Sequence, residues 1–61
     1  MNAMRTRLVI IASRQDYDSP ERALTEAAIR LVELDEGVVD LDSEPALRAI
    51  VQRALAVGET L

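Results

Sequence analysis

The chain has no cysteine and no histidine. Disulfide staples, thiolate nucleophiles and nearly every zinc site are thereby excluded, and only an all-oxygen metal site stays open. Lysine is also missing, all seven basic residues being arginine, and a lone Tyr17 is the whole aromatic complement. With neither histidine, cysteine nor lysine there is no nucleophile and base pair to complete a catalytic centre. Two glycines, Gly37 and Gly58, are too few for a phosphate loop or a dinucleotide fingerprint. No apolar run approaches a membrane span, and the N-terminus lacks the apolar centre of a secretory signal. The chain is therefore read as non-catalytic, without cofactor or metal, and cytoplasmic.

What is present is 61 residues, 49% of them hydrophobic and almost all of those Ala, Leu, Val and Ile. A single domain of this size removes only about 60% of its unfolded surface from water. Without disulfides or a metal, the remaining route to stability is assembly, and a homodimer is expected. The use of arginine without lysine, with much Ala, Val, Leu, Asp and Glu, suits GC-rich coding sequence of a bacterium or phage. Net charge is −4 and unevenly placed. Residues 1–15 hold Arg5, Arg7 and Arg14 and no acid, whereas residues 16–61 hold four arginines and eleven acids. Nucleic acid is not an expected partner of so acidic a chain.

Leu8-Val9-Ile10-Ile11-Ala12 is the most apolar stretch. Its β-branched residues and lack of alternation predict a strand over 5–13, covered on both faces and paired within the chain or with a second copy. Residues 1–4 precede it as a flexible N-terminus. Ser19-Pro20-Glu21 is a helix start, with Ser19 as cap and Pro20 in the first turn. The helix should run over 20–35, with Leu24, Ala27, Ala28, Leu31 and Leu34 as its apolar stripe, Ile29 and Val32 widening it, and Gly37 closing it. Residues 38–42 suit a short second strand or an extended linker. A last helix over 44–57 would present Leu47, Ile50, Val51, Ala54 and Val57 and stop at Gly58. The expected fold is thus a small single α+β domain over 1–61, of order β-α-(β)-α, completed by homo-oligomerisation.

Six acids crowd residues 33–44, with no base among them. Asp40-x-Asp42-x-Glu44 resembles the opening of a calcium loop, but Pro45 stands where that loop needs glycine and Val51 where it needs its closing glutamate. The acids read as solvated helix ends, or as a patch for a basic partner. For Tyr17, alone in a polar loop, the first reading is a ring folded over the end of the core. The second is an interface anchor beside Arg14, since Tyr and Arg dominate binding hot spots. Arg5, Arg7, Arg14, Tyr17, Asp40 and Asp42 are therefore the candidate partner-binding residues of a non-catalytic, regulatory or accessory module that docks on a larger protein.

The basic N-terminal stretch followed by two helices, with Ser43-Glu44 ahead of Leu47-Arg48-x-Ile50, resembles the ribbon-helix-helix family of bacterial and phage repressors and antitoxins. The resemblance implies a dimer that pairs its first strand across a two-fold axis and reads DNA with Arg5 and Arg7. Val9 and Ile11 occupy places where that family carries polar residues, and the connections before the helices are longer than the family's. A dimeric DNA-binding regulator is accordingly the alternative reading.

Overall fold

The computed structural model describes residues 3–35 and 40–59 and contains three α-helices: α1 (Ala3–Ser13), α2 (Pro20–Leu34) and α3 (Pro45–Glu59). A single 3-10 turn at Leu41–Ser43 precedes α3, and no strand occurs among the described residues. The α+β expectation is overturned. Residues 5–13, read from their β-branched run as a strand, are helix. The physical reason is one of backbone satisfaction. A helix closes its own hydrogen bonds, whereas a strand here would need a partner strand that the described chain does not supply. The helix penalty of Val or Ile relative to Ala is only about 0.5–0.7 kcal/mol per residue, and tertiary packing exceeds it. The pairing strand that a ribbon-helix-helix dimer would require is likewise absent from residues 5–13. Of the second strand expected over 38–42, residues 38 and 39 lie outside the described residues, while Asp40 caps the 3-10 turn that includes Leu41 and Asp42.

Local chemistry fixes the helix ends. Gln15 N–H and Arg14 N–H donate to the carbonyls of Ala12 and Ile11 at 3.1 and 3.0 Å, closing α1 with a tightened last turn. Ser19, extended at φ −81° and ψ 149°, accepts from Arg22 N–H through Oγ at 3.1 Å. The same hydroxyl donates to the Asp16 carbonyl at 2.8 Å, so a single serine ties the loop to the helix it starts. Pro20 follows at the position where a missing N–H costs nothing. At the far end, Asp35 Oδ1 accepts from Leu41 N–H at 2.8 Å and fastens the end of α2 to the start of the 3-10 turn. Gly37, expected to close α2, lies outside the described residues. Gly58 does not stop α3: the helix continues through it to Glu59, with no positive φ among the described glycines.

The helices α2 and α3 pack most extensively on one another, and α1 lies against both. The core is Leu8 from α1, Ala28 and Val32 from α2, Leu41, and Val51 and Ala54 from α3. Leu24, Ile29, Leu31, Leu47 and Leu55 pack around it, and Ile11 and Ala12 are buried alongside. The buried face of α2 is turned from the expected stripe, with Ala27 and Leu34 exposed and Thr25 fully buried in their stead. Thr25 fits there because its Oγ1 donates to the Glu21 carbonyl at 2.9 Å, within its own helix.

Gln15 is buried just beyond the end of α1, and neither its amide nitrogen nor its amide oxygen has a hydrogen-bond partner among the described residues. An unpaired buried amide costs about 1–3 kcal/mol. Gln15→Met, similar in length and without the amide, is expected to raise stability by a comparable amount in urea unfolding. A loss of stability would show that the amide is paired in solution.

Candidate interaction surface

Five consecutive apolar residues cannot all lie on one side of a helix. At helical spacing Leu8, Ile11, Ala12 and Gln15 face inward and are buried. The opposite side carries Thr6, Val9, Ile10 and Ser13 at i, i+3, i+4 and i+7, all exposed and none charged. Val9 and Ile10 are 42% and 48% exposed. They form an apolar centre on the outer side of α1, and a helix apolar on both sides is ordinarily covered on both.

Two of the three N-terminal arginines are engaged by acids of the neighbouring helices. Arg5 Nε donates to Glu33 Oε1 of α2 at 3.2 Å, and Arg7 pairs with Glu59 of α3. Both pairs are about half exposed and worth at most about 1 kcal/mol each, so they orient α1 between its neighbours more than they stabilise it. Arg5 and Arg7 thus flank the outer face. Arg14 is exposed just beyond α1.

Tyr17 is 81% exposed, so the reading that folds its ring over the core does not hold. The Arg22 guanidinium lies 5.3 Å from its ring centroid, and Arg22 Nε donates to Glu26 Oε1 at 3.0 Å. The stacked pair holds an aromatic ring out from the surface at a contact worth about 0.5–1 kcal/mol. Asp40 and Asp42 are both exposed, in a different part of the chain. The Asp40 carboxylate caps the 3-10 turn, accepting from Asp42 N–H at 3.1 Å and from Ser43 Oγ at 2.9 Å. Its role is thereby local, as an Asx-type turn residue. Among the described residues no three acids are grouped so as to hold a metal ion.

A cleft of about 230 Å³ lies between Val32, Leu41, Val51 and Leu55, with Met4, Asp35, Asp42, Arg48 and Gln52 completing its lining. No described helix is long and apolar enough to cross a membrane.

The six candidate residues therefore separate. Arg5, Arg7, Arg14 and Tyr17 belong to α1 and the loop after it, while Asp40 and Asp42 belong to the turn before α3. The outer residues Thr6, Val9, Ile10 and Ser13 escaped the strand reading because a two-residue period puts Val9 and Ile10 on opposite faces. The 3.6-residue period would have placed them together. No protein-family model, curated protein or solved structure matches this chain.

Proposed function

We propose that this protein is a non-catalytic interaction module, a small regulatory or accessory protein that self-associates and docks on a larger protein. The observation that carries this reading is the uncovered side of α1, where Val9 and Ile10 stand adjacent and exposed on an uncharged helical face. Adjacent exposed apolar side chains on one helical face are a feature of interaction sites. The Tyr17–Arg22 pair supplies a second contact of the type that dominates protein interfaces, an exposed aromatic ring pre-set by a stacked guanidinium.

Photo-crosslinking tests the docking step. With a benzophenone side chain replacing Tyr17, irradiation in the cells that make the protein is expected to give one discrete adduct with a larger protein. Arg22→Ala, which removes the stacking partner but leaves the core untouched, should weaken that adduct severalfold. Specific DNA binding that falls steeply with salt and disappears in Arg5→Ala/Arg7→Ala would instead establish the regulator alternative.

A further inference from the structure

We infer that the cleft between the end of α2 and the start of α3 binds a free α-amino acid with an aliphatic side chain. The inference goes beyond the interaction-module reading and stands on a different part of the fold from the outer side of α1. At about 230 Å³ the cleft is larger than the cavity of about 150 Å³ that holds a benzene ring, and smaller than the about 300–1,000 Å³ of a drug-sized pocket. A small amino acid lies between those limits. The floor is aliphatic: Val32, Leu41 and Val51 are buried, Leu55 is half-buried, and no aromatic residue lines the cleft. Such a floor takes a branched hydrocarbon side chain.

The rim carries both signs of charge, and each stands where the backbone reinforces it. Asp35 is the C-cap of α2, at the helix end whose dipole attracts a cation. Its Oδ1 accepts from Leu41 N–H at 2.8 Å, and Oδ2 is left for a ligand. Asp42, in the 3-10 turn, adds a second carboxylate to the same cleft. Arg48 lies in the first turn of α3, at the helix end whose dipole attracts an anion.

These charges do not close on one another. The Arg48 guanidinium and the Asp42 carboxylate share the cleft, yet neither belongs to the ion pairs Arg5–Glu33, Arg7–Glu59 and Arg22–Glu26 among the described residues. A small cleft that presents both signs unpaired has room for a ligand that carries both. The ammonium group of an amino acid meets Asp35 and Asp42, its carboxylate meets the planar fork of Arg48, and the Gln52 amide serves either group. A fatty acid of the same size would leave the two acids unengaged and set its own charge beside theirs. An alkylamine would leave Arg48 without a partner.

Titration of the isotope-labelled protein with L-leucine, followed by NMR, reads both affinity and place. A dissociation constant on the order of 1 mM is expected for so small a ligand, with the amide shifts confined to the cleft, at Leu41, Val51 and Leu55. N-Acetyl-leucine lacks the ammonium and leucinamide lacks the carboxylate, and each should bind about fivefold more weakly. Arg48→Gln should weaken leucine by about the same factor and leave leucinamide unchanged, whereas Asp42→Asn should weaken leucine and leave N-acetyl-leucine unchanged. Both side chains are exposed, so the two variants should keep the wild-type circular dichroism. Absence of shifts at tens of millimolar leucine overturns the inference. Equal affinity for the three ligands, shifts centred on Val9 and Ile10, or an Arg48→Gln that weakens leucine and leucinamide alike overturns it too. The Tyr17 crosslink reads docking on the larger protein separately, so failure of this site and failure of the module reading are distinguishable.

Discussion

Leu8→Ala is expected to cost about 2–5 kcal/mol, the range for emptying a fully buried leucine site. A 61-residue domain has in total only about 3–9 kcal/mol to lose, at about 0.05–0.15 kcal/mol per residue. The variant should therefore lose its cooperative urea transition, or retain only a small part of the wild-type midpoint. Leu8 is the α1 side chain at the centre of the three-helix core, and its loss leaves α1 held by Ile11, Ala12 and two exposed ion pairs. Val9→Ala is the informative neighbour. Val9 is exposed, and alanine is the better helix former, so at dilute concentrations the change should lie within about 0.5 kcal/mol of wild type. A strand buried on both faces would make the two substitutions comparably costly. Equal losses at positions 8 and 9 would thus refute the helix.

The second large effect is a reversal of sign at Gly58. A Cβ built there would lie 2.5 Å from Ile11 Cγ2 and 2.7 Å from its Cδ1, closer than side-chain carbons come. The glycine is kept for this close approach of α3 to α1, not for a left-handed turn. Forcing a methyl group into the contact costs about 1–3 kcal/mol, because Ile11 branches next to the backbone and cannot swing clear. Helix propensity returns about 1 kcal/mol, so Gly58→Ala should destabilise wild type by up to about 2 kcal/mol. In an Ile11→Ala background the same substitution fills vacated space and should stabilise. A double-mutant cycle by urea unfolding measures the coupling, expected at about 1–3 kcal/mol. Gly58→Ala that stabilises wild type by the full propensity gain of about 1 kcal/mol would mean that the helices stand further apart in solution.

These two positions show where the sequence was legible and where it was not. Ser19-Pro20 marked the start of α2 because capping is local chemistry: a hydroxyl, the N–H of Arg22 and a ring with no N–H to lose. The last helix, expected over 44–57, runs over Pro45–Glu59. The apolar run 8–12 was legible as an ordered segment, but its period was not, and the cover expected on two sides is present on one. Five consecutive apolar residues satisfy a buried strand and a two-sided helix equally. Gly58 looked like a terminator because a glycine near a helix end commonly takes positive φ. Its actual role depends on Ile11, forty-seven residues earlier in the chain. Among the candidate contacts, Tyr17 was read first as folded over the core, and neither its exposure nor Arg22 beneath it was legible, since only the bend before α2 brings the two together.

Residue types and neighbours within a turn were enough to establish which residue types are missing, the start of α2 and the acidic balance. The packing of the three helices was required to settle that residues 3–13 form a helix and which side of it is buried. It also brought Thr25 and Gln15 into the interior and set Glu33 and Glu59 against Arg5 and Arg7. The intrinsic preference between strand and helix for so short a run amounts to a few tenths of a kcal/mol per residue, whereas burying Leu8 and Ile11 against α2 and α3 is worth about 1.5–3 kcal/mol each. Contacts distant in sequence therefore outweigh local preference in α1, and they decided the fold.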